Sequence, residues 1–182
     1  MNIVEAATKE QVEQMHSALL QKGQLYADLW KVGVNLSLRI SDLRGLKFED
    51  LDIRTRTLKL TEQKTNKRKH IRLNSTAISV IERRRNENPN DQYLFQVHCN
   101  RASNAPISRN SVSRVLKETG DSLGLTINTH SMRKSRGMAM YNDGVPIEKI
   151  AKVLNHSNTA STLRYLGITN AEILQTYDDY EL

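Results

Sequence analysis

The sequence predicts an α+β protein that is mainly helical, with one small three-stranded antiparallel sheet. Apolar residues recur at helical spacing through most of the chain, as in Val12, Met15, Leu19 and Leu20, or Val112, Val115, Leu116, Thr119 and Leu123. Only between Leu51 and Leu73 does the period change to alternation. The composition, 38% hydrophobic with 5% aromatic, suits a helix-rich soluble chain.

Thr8 is placed to cap a first helix over residues 9–22 that stops at Gly23. Leu25, Leu29 and Val32 predict a second helix to about Asn35, with Trp30 in the core and His16, on the first helix, at the surface. Ser37 is a candidate cap for the next segment, which buries Leu43 and Leu46 and ends at Gly45. On a helix Arg39 and Asp42 would share a face, either as a surface ion pair or as an arginine held by a carboxylate and aimed at an anion. Strand-like runs then hold Asp52-Ile53, Leu58 with Leu60, and Ile71 with Leu73, and the second hairpin tip is basic at Lys64, Lys67, Arg68 and Lys69.

Residues 75–86 read as a helix ending in Arg83-Arg84-Arg85, Tyr93-Leu94-Phe95 as a short buried segment, and residues 100–106 as loop. Ser108 opens an amphipathic helix closing at Gly124, with Arg109 and Arg114 off its apolar stripe. Thr129 is a candidate cap for a helix through Asn142, Pro146 opens another, and Asn158 or Thr159 opens a third. One domain over residues 1–168 followed by a tail, 169–182, accounts for the chain.

The single cysteine, Cys99, excludes an internal disulfide, and no apolar run is long enough to cross a bilayer. A formal net charge of +7 points to a polyanion. Residues 54–85 hold eleven Lys or Arg against two acids, whereas the last twelve residues hold four acids and no base. The tail therefore suits a basic protein surface rather than nucleic acid.

The densest constellation lies between Asn128 and Gly167: His130 and Arg133 as His-x-x-Arg, then His156, then Tyr165 nine residues later. Two histidines, an arginine and a phenol are the groups needed to break a phosphodiester: a cation for the phosphate, a proton acceptor and a nucleophile. Arg39 and Lys64 add charge upstream, and no histidine has a companion at metal-ligand spacing.

Together, LRISDLRGLKFEDLDI, KTNKRKHIRL, THSMR and LNHSNTASTLRYLG make the chain resemble the catalytic domain of the phage integrase family, the tyrosine recombinases, from about residue 8 to 168. The resemblance implies a site-specific recombinase that cleaves and rejoins DNA through a 3′-phosphotyrosine, without cofactor or metal. It makes Tyr165 the nucleophile, Arg39 and Arg133 the phosphate clamp, and Lys64 the acid for the leaving 5′ oxygen, with Lys67 and Lys69 close enough to blur that match. It makes His130 a proton acceptor or phosphate ligand, His156 a support for a phosphate oxygen, and Asp42 the acidic support of the site. Lys67, Arg68, Lys69, Arg109, Arg114, Lys134 and Arg136 become candidate DNA contacts.

Expected partners are double-stranded DNA, further copies of the chain in a tetramer on DNA, a monomer when free, and accessory DNA-bending proteins, with no membrane. The expected setting is the cytoplasm of a prokaryotic cell, the protein being encoded by a phage or mobile element. The tail is expected to dock as a helix in cis or on a neighbouring protomer, with Tyr177 and Tyr180 as alternative nucleophiles only on paper. Two departures stand out: Leu36-Ser37-Leu38 replaces the family's small residue and glycine before the first arginine, and no core-binding domain fits before residue 8, as in a fragment or a short recombinase. An idle DNA-binding regulator and a type IB topoisomerase-like or telomere-resolving activity are the competing readings.

Overall fold

The computed structural model of the protein describes residues 5–99, 102–168 and 170–179; Asn100, Arg101, Tyr180, Glu181 and Leu182 lie outside the described residues. Helix α1 (Lys9–Leu20) begins at a reciprocal cap in which Thr8 Oγ1 accepts from the Gln11 N–H and the Gln11 side chain accepts from the Thr8 N–H. Helix α2 (Gln24–Leu36) packs on it, and Trp30, fully buried as expected, donates its indole N–H to the Val12 carbonyl at 3.0 Å. His16 is half-buried in a cleft between these helices rather than on the surface.

Ser37 does not open the next helix. It terminates α2 in the left-handed conformation, φ 51°, ψ 35°, and the short α3 (Ile40–Arg44) starts after an extended Arg39. Arg39 is therefore the residue before the helix, not part of its face. The expected Arg39–Asp42 surface pair does not form, because Arg39 bonds to Glu62 and the buried Asp42 accepts from the Gln63 N–H.

The antiparallel sheet comprises β1 (Leu51–Asp52), β2 (Thr57–Thr61) and β3 (Arg68–Arg72) in that order, with Leu58 opposite Ile71 and Leu60 opposite Lys69. Strand alternation sends Leu58, Leu60, Lys69 and Ile71 inward and leaves Lys59, Arg68, His70 and Arg72 exposed. Helix α4 (Ser75–Glu87) is capped by Asn74, whose Oδ1 accepts from the Ala77 N–H.

A second hairpin follows, β4 (Gln96–Cys99) with β5 (Ala102–Pro106), where a loop was expected. Its sequence carries no alternation and few strand formers. Pairing comes from its neighbours: Ile107 N–H donates to Phe95 C=O at 2.8 Å and the buried Gln96 amide donates to Asp91 at 2.9 Å.

Helix α5 (Arg109–Ser122) starts at Ser108 as expected. Helix α6 (Ser131–Asn142) starts one residue later than a Thr129 cap would place it, with Thr129 buried and His130 at the cap position. This helix is enclosed: Ser131, Met132, Arg133, Lys134, Ser135 and Gly137 are all buried. Gly33 of α2 has no room for a Cβ against Met132, which lets the α2 and α6 backbones approach closely.

Helices α7 (Ile147–Val153) and α8 (Thr159–Leu166) form a smaller apolar cluster around Ile150, Leu154 and Leu166, separate from the main core. Asn158 Oδ1 caps α8 by accepting from the Ser161 N–H. Helix α9 (Asn170–Asp179) carries the tail. No helix among the described residues is long and apolar enough to cross a membrane.

Candidate active site

Arg39, at the junction of α2 and α3, donates from Nη1 to Glu62 Oε2 at 2.7 Å. Arg133, on the enclosed α6, donates from Nη1 to the Ser37 carbonyl at 2.8 Å. The left-handed turn at Ser37 presents this carbonyl. Nη2 of Arg133 is buried, and the guanidinium lies within hydrogen-bonding reach of the Tyr165 phenol. A guanidinium buried beside a phenol is suited to pair with an anion brought to that phenol. Each arginine is thus gripped through Nη1, which fixes the plane of its guanidinium.

Tyr165, on α8, donates its hydroxyl to the His130 carbonyl at 3.2 Å. Burial pushes its pKa up, and the charges of Arg133 and Arg39 pull it back only in part, so the resting phenol keeps its proton at neutral pH. His156 meets the Tyr165 ring edge-on, with centroids 5.2 Å apart and planes at 81°. Its Nδ1 lies 3.0 Å from Oγ1 of the fully buried Thr162, which orients the ring. Burial first, then Arg133 and Arg39, lower the His156 pKa to about 4, so the imidazole is neutral in ordinary buffers. His130 is more open, yet desolvation and the cations Arg109, Arg133, Lys64 and Arg39 also hold its pKa below 6.5. A neutral imidazole can accept a proton.

The expected residues therefore converge: Arg39, Arg133, His130, His156 and Tyr165 form one cluster, with Lys64 and Arg109 acting on His130 from its rim. The structure separates the three hairpin lysines. Lys64 and Lys67 are exposed in the turn. Lys69 instead points inward from β3, donates to the Val153 carbonyl at 2.9 Å, and has its pKa lowered by burial and Arg133 to about 8. Asp42 is buried and accepts from the Gln63 N–H at 2.9 Å, so that it holds the hairpin rather than Arg39.

The other expected DNA contacts differ in exposure. Lys134 is buried, and Arg136 is half-buried in the cleft with Ala7, Val12 and Trp30, because α6 is packed on all sides. Arg114 is exposed but pairs with Glu118 at 3.1 Å. Arg68 is exposed on the outer sheet face. Among the described residues no three His, Cys, Asp or Glu side chains lie together as a metal site.

Two residues of the cluster escaped the sequence reading. Glu62, fully buried, accepts through Oε2 from Arg39, from Thr65 Oγ1 at 2.7 Å and from the Asn155 side chain. Burial works against its charge, but the hydrogen bonds from Thr65 and Asn155 and the charges of Arg39 and Lys69 hold its pKa below 4.5. Asn155 adopts φ 49° in the turn just before His156. A carboxylate in a hairpin otherwise rich in cations carries no sequence signal that distinguishes it from a solvated charge.

Comparison with known proteins places this geometry. The sequence model of the Phage integrase family matches residues 5–172. The chain is 32% identical over 160 residues to the probable integrase/recombinase YoeC of Bacillus subtilis, covering 87% of this chain and 86% of that protein. It is 30% identical over 146 residues to the tyrosine recombinase XerA of Pyrococcus horikoshii, covering 80% of this chain and 51% of that one. In fold it matches the XerH site-specific recombinase bound to a palindromic difH substrate in a post-cleavage complex, with TM-score 0.76 at 16% identity over 94% of this chain and 51% of that one. The chain thus spans most of one relative and about half the length of the others.

Proposed function

Since the chain belongs to the phage integrase family of tyrosine recombinases, we propose that this cluster cleaves and rejoins DNA strands at specific sites through a phosphotyrosine intermediate. The observation that carries the proposal is the pair of arginines, each held by Nη1 to a fixed oxygen, beside a protonated phenol and two imidazoles whose pKa values are lowered. Arg39 and Arg133 take the non-bridging oxygens of the scissile phosphate, where fixed positive charge stabilises the extra negative charge of the transition state. Tyr165 Oη forms a bond to phosphorus as the bond to the 5′ oxygen breaks.

The phenolic proton passes to the His130 imidazole once the hydroxyl leaves the backbone carbonyl of the same residue, which it contacts in the resting site. His156 supports a phosphate oxygen, oriented by Thr162. Lys64, exposed in the hairpin turn, gives a proton to the leaving 5′ oxygen. The 3′-phosphotyrosine retains the energy of the broken diester, so a 5′ hydroxyl attacking it reverses every step and reseals the strand. The DNA-bound state of the structural relative supports duplex DNA as the substrate.

We also assign the tail, 169–182, to a neighbouring protomer in a tetramer on DNA, with DNA-bending proteins as further partners and the prokaryotic cytoplasm as the setting. Exposure of Leu174 at 64% and Tyr177 at 77% on α9, with Glu172, Asp178 and Asp179 beside them in sequence, supports docking on another molecule.

The test is covalent trapping. The protein is incubated with nicked duplexes carrying sequences that flank its own gene, and adducts that survive denaturant are counted. The expected result is an adduct absent from Tyr165→Phe and present in Tyr177→Phe. Absence of any adduct from the folded protein on DNA it binds would favour an idle regulator, and relaxation of plasmid without a specific site would favour a topoisomerase.

A further inference from the structure

We propose that Glu62 is a positioning residue for strand cleavage: one buried carboxylate oxygen aims Arg39 at the scissile phosphate and ties it to the turn that carries His156. The inference rests on the recombinase reading above and adds to it a residue outside the arginine, lysine, histidine and tyrosine set.

Glu62 sits at the end of β2, where the hairpin turn begins, and its backbone closes that turn by donating to Lys67 C=O at 3.0 Å and accepting from Asn66 N–H at 2.9 Å. Its Oε2 gathers donors from three separate segments: Arg39 between α2 and α3, Thr65 in the hairpin turn, and Asn155 between α7 and α8. Lys69, two strand positions from the turn on the inward face, makes a parallel tie by donating to Val153 C=O at 2.9 Å. The hairpin bearing Lys64 and the turn bearing His156 are therefore joined twice, and Arg39 hangs from the same joint.

Arg39 is 20% exposed on its side chain while Glu62 is 0% exposed, so the carboxylate is the fixed member and the guanidinium the aimed one. Holding Nη1 leaves the Nε/Nη2 edge of the planar fork for the phosphate. A long flexible side chain preset in this way loses less freedom when substrate arrives. Glu62 Oε1 has no partner although buried, so the carboxylate is held by its charge rather than by full hydrogen bonding. That charge offsets part of the field that Arg133, Arg39 and Lys69 impose on His156.

The experiment measures the single-turnover rate of adduct formation, and separately the affinity for DNA, on a nicked site from pH 6 to 9. Glu62→Gln is expected to cut the rate at least about tenfold with DNA affinity changed less than about threefold. The rise of rate with pH should move to lower pH, because removing a negative charge from between the cations eases loss of the phenolic proton. Asn155→Gly, which keeps the left-handed turn and the charge, should lower the rate less and leave the pH profile in place. A scaffold role alone would lower the unfolding midpoint and the active fraction, without altering the rate or pH profile of the molecules that remain folded. Wild-type rate and pH profile in Glu62→Gln would overturn the proposal while leaving the recombinase reading intact.

If wild-type protein gives no adduct, the recombinase reading fails first, and NMR of the Arg39 guanidinium then decides the positioning. Restrained rotation in the wild type, lost in Glu62→Gln and, should that variant not fold, weakened in Asn155→Gly, upholds it; equal rotation in all of them overturns it.

Discussion

At the scale of single residues, the site depends on backbone shape as much as on side chains. Ser37 holds a left-handed conformation, φ 51°, so that its carbonyl can fix Arg133, and its own hydroxyl is buried without a partner. That conformation costs a non-glycine residue about 1–2 kcal/mol, against about 0.5–1 kcal/mol for the greater unfolded-state freedom of glycine. Ser37→Gly is expected to raise stability by about 1 kcal/mol in urea unfolding and to preserve adduct formation, since the carbonyl remains. A loss of stability would show that the serine contributes something its geometry does not reveal. The catalytic set was legible here because chemistry restricts which residue types can do the work. Glu62 was not, because its importance lies in three donors that arrive from 23, 3 and 93 positions away.

Among the elements, the hairpin between β2 and β3 does most to separate expectation from outcome. Alternation and turn residues located it, yet the lysines within seven residues of one another could not be told apart until the register placed Lys69 inside and Lys64 in the turn. The exposed Lys67 and Arg68 remain free to meet a phosphate backbone, whereas Arg114 is engaged by Glu118. Each phosphate contact contributes a slope of about −0.9 to the logarithm of affinity against the logarithm of salt. Replacing Lys67 and Arg68 together with alanine should weaken binding to every DNA sequence and flatten that slope by about 2. Arg114→Ala should leave it unchanged, as read by salt titration of a labelled duplex. The β4–β5 hairpin went unseen because its pairing is imposed by neighbours, and the first half of α6 proved to be enclosed, with Lys134 buried and Arg136 partly so.

For the whole molecule, charge is divided between a basic body and an acidic tail. Its net charge of +7 is the sum of opposite local excesses. A chain ending at Gly167 is expected to form the covalent adduct on a single half-site yet fail to assemble a tetramer on two-site DNA, as measured by sizing of the complex. Retention of the tetramer would remove the tail from assembly.

Composition, period and motif order were enough to establish the mainly helical α+β class, the three-stranded sheet, the family, and the identities of Arg39, Lys64, His130, Arg133, His156 and Tyr165 as the candidate set. Those features depend on local periodicity and on residue chemistry, both of which are written along the chain. Folding decided which face of each cation is open, that Glu62 rather than Asp42 holds Arg39, that Lys69 turns inward, and that both histidines are held neutral. Orientation, burial and electrostatic field arise from segments distant in sequence meeting in space, and no single stretch carries them.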